Sequence, residues 1–481
     1  MRLIANCRLS DCDEKRGIVV VRTKYLAVTA LSGTVMFVLS LAAVMAEENT
    51  KELTLGDARD FGTAAKNPAD QFLVSGHDGS VLISWTETGA AKRSRDAYLR
   101  SLDNNGKPTG NARRINDQDG RVHFYGGDNR AKFAVDSDGG ITAIWAATLP
   151  EFRTGEMRVA HAEKDQAFSP STRLNDDELP VNHAFGSVAT SPNGKVYAVW
   201  IDGRNREYVR MGEPTSPAEM RKDIPMKDLT IPDSILKQPP RPRKIYKHEN
   251  SQLFMAVSED GGKTFGPNYP ISGMRVCPCC VPNIVFLDGG DTIVVSYRYV
   301  REDYLRDHVV IRSSDAGKTF SEPVYISDDG WIANFCPHAG TSLIADSRGR
   351  IHSVWFTIGR QEENAGIYYT FSDDGGKTFA PRQLIAESPA HTVLHTQAIL
   401  DSEDRVWAVW ENIIDSKPQI FLAFRARDDI GWSRAHQISD DSAASMLPTL
   451  AEQNRRVYVA WQDMKGEKSQ IKIRTAALNT D

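Results

Sequence analysis

The octapeptide SEDGGKTF at residues 258–265 returns as SSDAGKTF at 313–320 and as SDDGGKTF at 372–379. A regular spacing of this kind is typical of a repeated structural unit. In each copy the Asp can accept backbone N–H groups within a tight turn, and the Gly permits a positive φ. The Phe that ends each copy is large enough to fill the space between two neighbouring sheets. The pattern therefore predicts equivalent hairpin turns in a repeating all-β fold.

A second repeat counts the units, because apolar strands that end in Trp or Tyr recur along the chain. These aromatic residues are Trp85, Trp145, Trp200, Tyr297, Trp355, Trp410 and Trp461. Only the step from Trp200 to Tyr297 is much longer than the others, and it contains the polar, proline-rich segment 202–250. We predict seven sheets of similar size, with a long loop insertion at 202–250.

The three octapeptides resemble the Asp-box, the turn of the BNR repeats in sialidase-like β-propellers. This resemblance implies one propeller domain over residues 47–481. The seven repeated strands predict seven blades of four strands each, with segment 51–56 completing the last blade. The six-bladed form found in sialidases is the alternative. The run Cys277–Cys280, followed later by Cys336–Pro337, also resembles an uncharacterised exported branch of these proteins with a Cys-x-Cys-Cys motif.

An apolar run precedes the repeats and follows Arg22 and Lys24. It ends with small residues at Val44 and Ala46, which predicts a signal peptide over residues 1–46, with 1–20 as an extension that lacks signal character. An uncleaved membrane anchor is the alternative. Both interpretations export the propeller, to the periplasm or outside the cell. The net charge of −5 and the absence of a basic block argue against a nucleic-acid partner.

Soft metal ligands concentrate where the first strand of each unit begins, the position that lines a propeller's central channel. We predict a cluster of cysteine and histidine ligands at the mouth of this channel, which suits copper or zinc. Its candidate residues are Cys277, Cys279, Cys280, Cys336, His338, His183, His391 and His395. Two alternatives stay open, since four cysteines in an exported chain favour structural disulfides or a redox-active disulfide.

The sialidase resemblance also implies an exo-acting glycoside hydrolase as a rival function. Arginines that grip an anionic substrate and paired carboxylates are the groups such an enzyme needs. The candidates are Arg298, Arg306, Asp307 and Asp202, although the Arg-Ile-Pro motif of sialidases does not occur in this chain. The expected ligand is a small anion or a glycan. A third hypothesis is a protein-interaction scaffold that binds its partner through segment 202–250.

Overall fold

Seven antiparallel sheets follow one another along the chain in the computed structural model. The structure describes residues 52–62, 67–76, 79–88, 95–123, 129–149, 155–179, 181–205, 251–301, 305–333, 338–360, 365–388, 395–466 and 468–479, and the backbone of 208–215 and 241–246. Residues 51–481 form one compact unit. The predicted signal peptide or anchor at residues 1–46 lies outside the described residues.

Each sheet is one blade, with strands A to D in chain order from the central channel outward. Blade 1 comprises Ala69–Ser75, Val81–Thr88, Arg95–Leu102 and Pro108–Arg114. Blade 2 comprises Lys132–Val135, Ile141–Thr148, Gly155–Ala162 and Thr172–Arg173. Blade 3 comprises His183–Thr190, Val196–Asp202, Gln252–Ser258 and Tyr269–Pro270. Blade 4 comprises Asn283–Leu287, Thr292–Val300, Arg306–Ser313 and Val324–Tyr325. Blade 5 comprises Ser342–Ala345, Ile351–Thr357, Gly366–Ser372 and Gln383–Glu387. Blade 6 comprises Thr396–Leu400, Val406–Ile414, Lys417–Arg425 and His436–Gln437.

Blade 7 joins the two ends of the propeller domain. Its strands A to C are Ala444–Gln453, Arg456–Lys465 and Lys468–Leu478, and its strand D is Leu53–Leu55, which pairs antiparallel with strand C. A further short strand, Arg59–Asp60, pairs with the same strand C. The seven-bladed all-β prediction is confirmed, including closure by the segment 51–56, and the six-bladed alternative is wrong.

The described residues contain no α-helix, and their one helical element is a 3-10 turn at Asp288–Gly290. None of them belongs to a helix with the length and apolar character needed to cross a bilayer. Within the insertion after blade 3 strand B, the backbone of Tyr208–Thr215 pairs with that of Arg241–Tyr246. The segment predicted as a loop therefore includes a two-stranded antiparallel ribbon.

Buried aromatic residues of the B strands fill the spaces between blades. Trp200 and Trp355 have no exposed surface, and the strands around them are rich in Val, Ile and Ala. In three blades the Trp indole N–H donates to the carboxylate two positions later: Trp85 to Glu87 at 2.7 Å, Trp200 to Asp202 at 2.9 Å and Trp461 to Asp463 at 2.7 Å. These carboxylates satisfy buried indole donors, which explains their recurrence.

The three repeated octapeptides form the turns between strands C and D of blades 3, 4 and 5. In the first copy, Asp260 accepts the backbone N–H of Thr264 at 2.9 Å and its hydroxyl at 2.6 Å, and Ser258 Oγ accepts the N–H of Gly262 at 2.7 Å. Gly262 has a φ of 92°, and a Cβ there would lie 1.7 Å from Thr142 of the preceding blade. The turn therefore requires glycine both for its backbone and for its contact with blade 2.

These turns should weaken in acid. Burial works to raise the pKa of Asp260, but its hydrogen bonds to Thr264, Ser258 and Lys263 outweigh burial and hold the pKa at about 2. A lowered pKa means that the turn stabilises the fold fully above the unfolded value of about 3.9 and loses this contribution as pH falls through about 2. We expect the difference in thermal midpoint between the wild type and Asp260→Ala to shrink over that range. A difference that does not change with pH would contradict this assignment.

Candidate functional site

The chain enters blade 4 through a bend at Arg275, whose φ is 79°. Backbone hydrogen bonds then fix the following residues. Val276 N donates to Ser251 O at 3.1 Å, and Cys277 N donates to Arg298 O at 2.8 Å. Residues 278–280 turn before strand A begins at Asn283. The cysteine segment is therefore a pinned turn rather than part of an extended strand.

This turn brings three thiols together. Cys277 Sγ lies 3.7 Å from Cys279 Sγ and 3.7 Å from Cys280 Sγ. All three sulfur atoms lie within 4.8 Å of one another, and the residues are 0%, 3% and 1% exposed. No disulfide joins any two of them. We call these three residues the cysteine triad.

Two buried arginines of blade 4 lie near the triad, and one of them contacts it. Arg306, at the start of strand C, donates from Nη1 to Cys277 Sγ at 3.3 Å. Arg298, in strand B, donates to Arg306 O at 2.8 Å and to Ala339 O at 2.7 Å, and its guanidinium lies 4.7 Å from the centre of the Trp331 ring. The arginines are 1% and 2% exposed. Positive charge is therefore held beside the sulfur atoms in a region closed to water.

The surroundings separate the pKa values of the thiols. For Cys277, burial works to raise the pKa, but hydrogen bonds from Cys279 and Cys280 and the charges of Arg306 and Arg298 outweigh it, so the pKa lies well below its usual value. Burial raises the pKa of Cys280, and its hydrogen bond to Cys277 adds to that rise. The surroundings therefore favour the thiolate form at Cys277 more than at Cys280.

Polar neighbours on strand C complete the surroundings. His308 Nε2 lies 3.1 Å from Ala339 O, the carbonyl that Arg298 also contacts. Burial, reinforced by the charge of Arg298, keeps the pKa of His308 well below its usual value, so the imidazole is neutral. Asp307 accepts the backbone N–H groups of Gly330 at 3.2 Å and Trp331 at 3.3 Å. Burial and Asp329 raise the pKa of Asp307.

A cavity of about 130 Å³ lies in the central channel beside this cluster. All seven blades line it, through residues that include Phe72, Lys132, Ser187, Val281, Thr341, Thr396 and Pro448. Val281 directly follows Cys280 and lines the channel, whereas the triad itself does not. A Cβ placed on Gly340 of blade 5, another lining residue, would lie 2.8 Å from Val281 O. Blade 5 therefore packs tightly against the segment that carries the triad.

His183, one of the predicted histidine ligands, contacts groups other than the cysteines. His183 Nε2 lies 2.9 Å from Asp177 Oδ2, and its Nδ1 lies 3.0 Å from Gly155 O. Asp202 Oδ1 lies 3.6 Å from His183 Nε2, but Arg204 already pairs with Asp177 and Asp202 at 2.9 Å. The group of Asp177, His183 and Asp202 is thus a salt-bridge network with its own cation.

The other two predicted histidine ligands that the structure describes, His395 and His338, have different neighbours. His395 lines the channel, and its Nδ1 lies 3.2 Å from the buried carboxylate of Glu411. The His338 ring lies 5.9 Å from the ring of Phe185. Cys336 and His391 lie outside the described residues, so their part in a metal site stays a prediction. Among the described residues, the predicted ring of ligands is represented by the cysteine triad alone.

The four glycosidase candidates are buried and contact protein groups. Arg298 and Arg306 bind backbone carbonyl and sulfur atoms, Asp307 binds backbone amides, and Asp202 binds Trp200 and Arg204. The importance of Arg306 as the hydrogen-bond donor to Cys277 was not anticipated. The sequence Arg306–His308 at the start of an apolar strand was its only signal, since charged residues within a buried strand require partners.

No family model matches the chain, and no curated protein matches it. Among solved structures, a polysaccharide lyase is similar with 9% identity over 88% of this chain and 92% of its own, at a TM-score of 0.50. A protein of unknown function from Dyadobacter fermentans has 12% identity over 89% and 99% of the two chains, at a TM-score of 0.48. The NanB sialidase of Streptococcus pneumoniae has 11% identity over 83% and 84%, at a TM-score of 0.44. At 9% identity and a TM-score of 0.50, the comparison with the polysaccharide lyase shows a likeness of fold.

Proposed function

We propose that this chain is an exported Asp-box propeller that binds one thiophilic metal ion, Cu(I) or Zn(II), through Cys277, Cys279 and Cys280. One observation carries the proposal: three thiols converge within 4.8 Å in a buried pocket without forming a disulfide. Thiolate ligands select Cu(I) and Zn(II) among the common biological metals.

The spacing of the sulfur atoms supports metal binding. Metal–sulfur bonds of about 2.3 Å in tetrahedral geometry separate neighbouring sulfur atoms by about 3.8 Å. The two distances from Cys277 are both 3.7 Å. The N–H group of Arg306 on Cys277 Sγ would act as the outer partner that orients a ligand and tunes the metal. The residues present therefore fit such an ion with little rearrangement.

Burial disfavours two of the rival functions, a redox-active thiol and a glycoside hydrolase. A thiol that exchanges disulfides with other molecules must be reached by an attacking thiolate, but the triad is at most 3% exposed. A glycoside hydrolase needs two carboxyl groups that face a substrate. Asp202 and Asp307 are each 1% exposed and already engaged by protein donors. The geometry thus favours an ion held within the blade over a substrate held at these residues.

The experiment is metal analysis of the purified, reduced exported domain. We expect one Cu(I) or Zn(II) per chain, and we expect Cys277→Ser to weaken binding by more than roughly 100-fold, because loss of a ligand should exceed the 10–100-fold effect of losing an outer partner. Val276→Ala, which alters packing in the same turn without removing a ligand, is the matched control and should bind normally. Cys336→Ser and His338→Ala in the same assay test the remaining predicted ligands.

The proposal fails if the wild-type domain, with its thiols shown to be reduced, takes up neither metal. It also fails if Cys277→Ser, Cys279→Ser and Cys280→Ser all bind metal as the wild type does. Circular dichroism and a thermal midpoint on each variant separate loss of a ligand from loss of the fold.

A further inference from the structure

The charges around the triad carry an inference about which ion it takes, and this inference rests on the proposed metal function. Arg306 Nη1 contacts Cys277 Sγ at 3.3 Å, and Arg298 is linked to Arg306 through a hydrogen bond of 2.8 Å to its carbonyl. Both side chains are at most 2% exposed. An arginine is always charged in a protein. Arg306 therefore places one permanent positive charge in contact with Cys277, and Arg298, hydrogen-bonded to the backbone of Arg306, adds a second one nearby, with little solvent to screen them.

Fixed positive charge penalises a bound cation in proportion to the charge of that cation. By Coulomb's law each arginine repels a divalent ion twice as strongly as a monovalent ion at the same position. The attraction of the three thiolates also doubles for a divalent ion. Each arginine therefore cancels part of the stronger binding that the thiolates alone would give to the divalent ion. Two arginines beside three thiolates thus move the preference of the site toward the lower charge.

The other charged and titratable groups near Arg306 in strand C of blade 4 do not reverse this preference for the lower charge. Asp307 follows Arg306 directly in a β-strand, so its side chain points to the opposite face of the sheet, where the amides of Gly330 and Trp331 hold it. His308, on the same face as Arg306, is engaged with Ala339 O. Among the described residues of blade 4, Arg306 and Arg298 are therefore the charged side chains nearest to the sulfur atoms.

We propose that Arg306 and Arg298 make the triad selective for a monovalent thiophilic ion, Cu(I), over divalent Zn(II). In this proposal Arg306 is a positioning and selectivity residue, since it acts through Cys277 and not on the ion itself. The site would belong to copper handling, in which the ion arrives and leaves as Cu(I), rather than to a structural zinc centre.

The experiment measures Cu(I) and Zn(II) dissociation constants by competition with chromogenic chelators, under reducing conditions, for the wild type and Arg306 variants. The readout is the ratio of the two constants, because thiolates favour Cu(I) intrinsically and the absolute affinities alone would not test the arginines. We expect Arg306→Met to shift this ratio toward Zn(II) by roughly tenfold or more. Arg306→Lys should keep the wild-type ratio, because it keeps the charge.

Two further variants isolate the cause. Arg306→Gln retains an N–H donor but no charge, so it should behave as Arg306→Met does if charge sets the preference. Arg312→Met removes the same charge six positions further along the same strand and should leave the ratio unchanged. The inference is overturned if the wild type, Arg306→Met and Arg306→Gln share one ratio. If the wild type binds neither ion, the metal function itself fails, which is a different result.

Discussion

Replacing Arg298 with alanine is expected to lower the free energy of unfolding by about 3–5 kcal/mol, the range for removing one member of a buried charged network. The side chain is 1% exposed, donates to Arg306 O and Ala339 O, and lies over the Trp331 ring. Its loss leaves two buried carbonyl groups without these donors and opens a void between blades 4 and 5. Chemical denaturation of the metal-free domain measures the effect.

The matched control is Arg301→Ala, one residue beyond the end of the same strand. Arg301 has a side chain that is 41% exposed, and its pairing with Asp328 is at 3.8 Å. Surface pairs of this kind contribute at most about 1 kcal/mol. The glycoside hydrolase hypothesis instead predicts that Arg298→Ala loses activity without losing stability. An Arg298→Ala variant with wild-type stability that loses an otherwise measurable glycosidase activity would overturn the structural role assigned here.

The architecture follows from local chemistry that a single sequence displays. The Asp, Gly and Thr of each octapeptide specify one turn through contacts within eight residues, as the bonds of Asp260 show. The Trp-ended strands repeat because each blade buries the same aromatic position. Both signals are short-range, so the count of seven blades needed no knowledge of how distant residues pack.

The predicted ring of ligands depended on the direction in which side chains point, and the backbone around His183 shows how that direction can change. Strand A of blade 3 contains a register shift between Ala184 and Ser187, with Phe185 at a φ of 56°. A bulge of this kind breaks the two-residue alternation of a strand. His183 therefore faces Asp177 and Gly155 instead of the channel. A single sequence does not show where such a bulge occurs, so the direction of His183 could not be predicted from it.

The cysteine triad was easier to foresee because its members are neighbours in sequence. What the sequence did not show is the turn at 278–280, which directs all three sulfur atoms inward, or the arginine that reaches Cys277 from 29 positions away. The carboxylates near the ends of the B strands carried a signal that points to a structural role. Glu87, Asp202 and Asp463 each stand two residues after a tryptophan, and each accepts its indole N–H.

Deleting residues 51–61 is expected to destabilise the propeller by at least about 3 kcal/mol, because it removes the outermost strand of blade 7. Gly56 N donates to Thr475 O at 2.9 Å and Phe61 N donates to Ile471 O at 2.8 Å, bonds that join the start of the domain to its last strand. Phe61 is 2% exposed, and its ring lies 4.7 Å from that of Trp85. Burial of one Phe contributes about 1.5–3 kcal/mol and each net hydrogen bond about 1 kcal/mol.

The comparison is between a domain that begins at residue 51 and one that begins at residue 62, both measured by urea denaturation. A third form, Phe61→Ala in the longer domain, separates loss of the aromatic contact from loss of strand pairing. Because strand Lys468–Leu478 would then end the sheet with unpaired N–H and C=O groups, the shorter domain should also associate with itself at high concentration. Equal unfolding free energies for the two lengths would show that blade 7 is held by the channel-side packing of Ala444–Gln453 and not by this closure.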